Sequence, residues 1–137
     1  MKRYIAVLAG LVLSPLVGAQ DAQVPPALMY ANKPIDSLCF SNQEGNKAEI
    51  QLARCGAAAE KMTVKGQNAD LLKKGYIGYD WQAAKSAYPA QGYSYYRFFD
   101  AGNQQYWLHT VNNGGGSGDF TAVSRVSRKN DNTMLMQ

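Results

Sequence analysis

The sequence predicts a mainly β fold with minor helix: a small antiparallel meander closing into a barrel or sandwich and carrying one disulfide. Three observations carry that prediction. Runs rich in aromatic and β-branched residues recur at 76–81, 93–99, 104–111, 119–128 and 133–136, the composition that strands favour. Turn chemistry separates them, as in Asp100-Ala101-Gly102-Asn103 and Asn130-Asp131-Asn132. Helical signals are short and weak beside them, and so many strand edges need closure or a cover.

The N-terminal residues read as a secretory signal. Lys2 and Arg3 give a basic start, an apolar stretch follows at 5–17, and Val17-Gly18-Ala19 supplies small or modest side chains before a cut. The expected segments are therefore a signal over 1–19, a flexible leader over 20–34 and a single β-rich domain over 35–137. The apolar stretch is broken by Gly10, Ser14 and Pro15 and falls short of the roughly 20 residues that span a bilayer. No cysteine stands where a lipoprotein would carry its lipid, so no membrane anchor is expected after cleavage. Periplasmic or secreted protein is the localisation this implies.

Composition narrows the function classes. Lys2 and Arg3 are two of fourteen basic residues, and ten acidic residues leave the mature chain at a net charge of about +2. Its basic residues are scattered, with no run that follows a phosphate backbone, so nucleic-acid binding is disfavoured. Cys39 and Cys55 are the two cysteines, an even count that in an oxidising compartment means a bridge. No CxxC motif or adjacent histidine points to a thiol catalyst or a metal site.

Element by element, Pro25-Pro26 and Lys33-Pro34 make 20–34 extended and poor in buriable side chains. Residues 35–40 read as a short strand bearing Cys39, and 41–46 as a turn. Alternation of Ala48, Ile50 and Leu52 predicts a strand through Cys55, paired with the Cys39 strand; Gly56 argues against one continuous helix, leaving a helical turn at 57–61. Residues 63–65 form a further short strand, and 69–74 one turn of helix ended by Gly75. The runs at 93–99 and 104–111 make a β-hairpin, with 112–118 as a flexible glycine-rich loop before the last strands.

No motif for catalysis survives inspection. The glycines at 114–116 and 118 are not followed by Lys-Ser or Lys-Thr, so the phosphate-loop pattern fails. Ser117-Gly118-Asp119-Phe120 resembles the short loop string that bacterial periplasmic inhibitors of lysozyme insert into their target. The resemblance spans four residues, departs in having Phe120 where tyrosine is common, and identifies no family. His109 is the sole histidine; a hydrolase would need it oriented by Asp80, Asp100 or Asp119 and set beside a nucleophile such as Ser117, which no spacing indicates. One histidine and two bridged cysteines leave too few ligands for zinc, and the three aspartates do not announce the paired carboxylates of a glycosidase. No catalytic residue, metal or cofactor is assigned.

The aromatic content is the informative feature. Tyr76, Tyr79, Trp81, Tyr88, Tyr93, Tyr95, Tyr96, Tyr106 and Trp107 crowd into about thirty residues. Strand neighbours alternate faces, so Tyr95 and Tyr96 cannot both point inward, nor can Tyr106 and Trp107. Exposed tyrosine and tryptophan suit protein interfaces and sugar stacking. The expected binding residues are Tyr79, Trp81, Tyr95, Tyr96, Arg97, Tyr106 and Trp107 on the sheet, with Ser117 and Phe120 at the loop. The expected function is a non-enzymatic binding protein of inhibitor or immunity type, recognising a protein in the cell envelope or outside the cell. A glycan- or peptidoglycan-binding module is the alternative, and a small hydrolase using His109 the third.

Overall fold

The computed structural model describes residues 23–41, 48–82 and 92–137. The predicted signal segment therefore lies outside the described residues, as does Tyr88. Nine strands and three helices occur among the described residues in the order β1 (Met29–Tyr30), β2 (Lys33–Pro34), α1 (Leu38–Ser41), β3 (Ala48–Gln51), α2 (Leu52–Met62), β4 (Thr63–Lys65), α3 (Ala69–Lys73), β5 (Ile77–Trp81), β6 (Tyr93–Gly102), β7 (Gln105–Asn113), β8 (Phe120–Asn130) and β9 (Thr133–Met136), with a 3-10 turn at Pro26–Leu28. β1 and β2 form a small hairpin, and the other seven strands make one antiparallel sheet in the order β3-β9-β8-β7-β6-β5-β4. The mainly β, antiparallel, singly bridged fold expected from the sequence is the one observed. β3 and β4 are its two edges and do not pair with each other, so the sheet is not a closed barrel.

Helix α2 links those two edges directly, from Gln51 to Thr63. Seven strands laid flat would hold their outer members about 29 Å apart, whereas an eleven-residue helix reaches only about 16 Å. The sheet must therefore curl around α2. The curled side, the core face, buries Tyr96, Leu108, Val126, Met134 and Ile50 against Leu28, Ile35, Cys39, Phe40 and Leu52. On the other side, the outer face, α3 and its flanks cover a smaller cluster of Tyr76, Tyr95 and Val111.

Three local expectations fail for physical reasons. Residues 35–40 do not form a strand: the Asp36 carboxylate accepts the Leu38 N–H at 2.9 Å and starts helix α1. The strand from Ala48 stops at Gln51, and Cys55 lies in α2, which runs unbroken through Gly56. A glycine there costs about 1 kcal/mol against alanine, and burial of Leu52 and Ala59 on the same helix offsets it. The Cys39–Cys55 disulfide thus joins two helices, not two strands, with Cα atoms 5.2 Å apart. The flexible leader expected over 20–34 fails in its described part. Leu28 is fully buried in the main core, Leu28 N–H bonds Pro25 O, and Ile35 N–H bonds Leu28 O.

The β6–β7 hairpin forms as expected, but its tip is displaced. Asn103 and Gln104 take φ of 51° and 58°, the left-handed pair that a two-residue hairpin turn needs. Asp100 instead accepts the Gly102 N–H at a bulge just before the tip.

Candidate functional site

The outer face of the β6–β7–β8 ribbon carries the exposed aromatic surface. Register places Phe99 opposite Trp107, Trp107 opposite Arg125, Arg97 opposite His109, and His109 opposite Val123. Phe99, Trp107 and Val123 are 47 %, 43 % and 66 % exposed. α3 covers the neighbouring Tyr95 and Val111 and ends before reaching this row, which is why the row stays open.

Two guanidinium groups lie on these rings. Arg97 sits 4.7 Å from the Phe99 ring centre and 5.3 Å from that of Tyr76, while donating to Lys74 O at 3.1 Å. Arg125 lies 5.8 Å from the Trp107 ring and donates to the Gln137 side chain at 2.7 Å. The salt bridges among the described residues are Lys33–Glu60 and Lys129–Glu49, so neither arginine is matched by a carboxylate there. Stacking on aromatic faces holds each cation in place without neutralising it. Tyr76 Oη and His109 Nδ1 are 2.5 Å apart, tying the link between α3 and β5 to β7.

The predicted binding residues are divided among five places. Arg97 and Trp107 belong to the outer-face patch. Tyr95 and Tyr96 point to opposite faces as alternation requires, yet both are buried, because each face has its own cover; they are core residues and present no contact surface. The Tyr95 hydroxyl donates to Asp80 and accepts the Asn68 N–H; burial pushes it up to about 12. Tyr96 donates to Ile35 O, and burial raises its hydroxyl too. Tyr106 packs edge-on against Phe98 on the core side. Tyr79 lines a groove of about 500 Å³ with Lys33, Pro34, Lys65 and Ile77. Trp81 and Phe120 border a second groove of about 580 Å³, floored by the disulfide and Met62. Ser117 is exposed in the loop. Phe99 and Val123 are the patch members the sequence reading missed; their register opposite Trp107 and His109 is the signal that identifies them.

The glycine-rich connection is pinned at its base, unlike the free loop expected. Asp119 accepts from the Tyr93 hydroxyl at 2.7 Å and from the Asn113 amide at 2.9 Å, and Asn113 accepts the Gly115 N–H. Those two donors hold the Asp119 carboxyl below the usual range. The three aspartates considered as partners for His109 are all engaged elsewhere. Asp80 takes Tyr95 and the Gln67 N–H, Asp100 takes Gly102, and Asp119 takes the loop base. Among the described residues, no group of three or more His, Cys, Asp or Glu side chains gathers to hold a metal. No helix among them is long and apolar enough to cross a membrane.

No protein family, curated protein or solved structure matches the chain.

Proposed function

We propose that this is an exported, non-enzymatic binding protein that recognises another protein of the cell envelope or the extracellular space through the outer-face patch. One observation carries the reading: Trp107 and Phe99 stand opposite each other on the β6–β7 hairpin, each nearly half exposed, with an uncompensated arginine on each ring. Exposed Trp, Arg and aromatic groups held in fixed rotamers are the residues that dominate protein interfaces. Two guanidinium groups without carboxylate partners favour an acidic or carbonyl-rich opposing surface. A guanidinium on one face of Trp107 and of Phe99 suits that opposing surface better than sugar stacking. Export rests on the signal pattern and agrees with the disulfide between Cys39 and Cys55.

The test is capture from envelope extract and culture medium with purified mature protein. A retained band that is lost with Trp107→Ala and weakened with Arg125→Gln, both still folded by circular dichroism, is the expected result. Retention of nothing, or of the same bands by wild type and Trp107→Ala, would reject the patch as a recognition surface.

A further inference from the structure

The groove beside Tyr79, about 500 Å³ in volume, lies between the β1–β2 hairpin and the β4–β5 edge of the sheet. Ile77 and Tyr79 alternate onto the core face of β5, where Ile77 packs against the main core, and they form one wall. Pro34 and Ile35 form the other. Tyr96 is the floor, and its hydroxyl donates to Ile35 O at 2.8 Å, which fixes the spacing of floor and wall. Val24 and the exposed Leu72 add further apolar surface to the lining.

Its polar groups gather around Tyr79. Register sets Lys65 opposite Tyr79, so the two side chains share a face, and Lys33 lies close enough for its charge to act on the Tyr79 hydroxyl. Burial first, then the Asp36 charge, raise that hydroxyl's pKa, which keeps it protonated and able to donate. No acidic residue lines the groove. Asp36 belongs to a separate small recess with Cys39 and Leu52. Lys33 is paired with Glu60, whereas Lys65 has no carboxylate within ion-pair distance among the described residues. Small-molecule sites have volumes of roughly 300–1,000 Å³ and a mostly apolar lining with a few convergent polar groups. This groove has both properties, and the sign of its polar end is positive.

We propose that the groove binds a small single-chain amphiphile with one anionic headgroup, of the class of a free medium-chain carboxylate. The chain lies along Val24, Pro34, Ile35 and Ile77 over the Tyr96 ring. Its carboxylate meets the Lys65 ammonium and accepts a hydrogen bond from the Tyr79 hydroxyl, a charge-assisted pair of contacts. Lysine suits this place because its stem extends the apolar wall while its charged head stays at the rim. A volume in the lower half of the small-molecule range suits one chain. The groove shares no residue with the Phe99–Trp107 patch on the outer face, so this inference stands or falls independently of the partner proposed above.

Titration of the isotope-labelled, oxidised protein with decanoate below its micelle-forming concentration, followed by NMR, tests it. Saturable shifts at Ile77, Tyr79 and Lys65, with Overhauser contacts from the decanoate chain to the Val24 and Ile77 methyl groups, are the expected result. Octanoate, two methylenes shorter, should bind about tenfold more weakly. Lys65→Gln should weaken decanoate about two- to fivefold, the range of an exposed ion pair, and leave the neutral decanol unchanged. Absence of saturable shifts, or shifts centred on the Trp107 indole in place of Ile77, would overturn the proposal. Equal weakening of decanoate and decanol by Lys65→Gln would remove the headgroup from that lysine and overturn it as well. Overhauser contacts to Ile77 from residues before Gln23, in protein free of decanoate, would make this chain's own N-terminal residues the occupant and likewise refute it.

Discussion

Asp36 offers a quantitative test of how the N-terminal elements hold together. Its carboxylate lies partly buried between β2 and α2, accepting the Leu38 N–H that starts α1. Burial pushes its pKa up from 3.8 to about 6; the Leu38 N–H and Lys33 oppose that rise, and Glu60 adds to it. Two pH units correspond to about 3 kcal/mol between protonation states. Solvent reaches part of the group, so about 1–2 kcal/mol is the realistic effect on stability. A raised folded-state pKa means that the native protein holds a proton the unfolded chain has released. The native state gains from this group below about pH 4 and loses that advantage as pH climbs through about 6.

Asp36→Asn keeps the acceptor for Leu38 and removes the charge. It should stabilise the protein by about 1–2 kcal/mol at neutral pH, a Tm rise of roughly 4–8 °C, and change it little below the unfolded carboxyl's pKa of 3.8. Thermal melts of wild type and variant across that range measure the difference directly. A variant that is less stable at neutral pH, or whose gain is the same at every pH, would refute the argument that burial of a charge governs this site.

Three further outcomes are expected. Replacing Cys39 and Cys55 by serine should cost about 3 kcal/mol, from loop closure across a separation of 16 residues, read as a fall in urea midpoint that reduction of wild type reproduces. Tyr95→Phe leaves Asp80 and the Asn68 N–H without their shared partner and should cost about 1–3 kcal/mol, with faster exchange of the Asn68 amide; an unchanged melt would count against that bridge. Gly78→Ala would place a methyl group 2.1 Å from Ser94 O and 2.6 Å from the Tyr95 Cα, both backbone, so a loss of about 3 kcal/mol or more is expected, and a wild-type melting curve would show the strands less tightly set.

Much of the sheet was legible because its signals are local. Alternating aromatic and β-branched residues mark β5, β6 and β7, and their period of two sets Trp107 and His109 on one face. Asn68 and Gly75 bound α3 as their chemistry requires: the Asn68 side chain accepts from Leu71 N, and Gly75 has φ of 81°. The candidate site was only half legible. Alternation tells that Tyr95 and Tyr96 face opposite ways, but not that each face has its own cover, so it marks as contact residues two of the deepest side chains in the fold.

By itself the sequence determined the strand composition of the main sheet, the turns near 66–68, 100–103 and 130–132 to within a residue or two, and the presence of two cysteines suited to bridging. Each of these is a property of neighbouring residues. Tertiary structure alone decided that α2 spans the two sheet edges, that Cys39 and Cys55 meet on helices, and that α3 leaves Phe99, Trp107 and Val123 uncovered. Helix or strand at residues 48–62 is a near-balance of local propensities, settled by what the curled sheet needs to bury. Exposure depends on distant segments, and short-range periodicity carries no information about them.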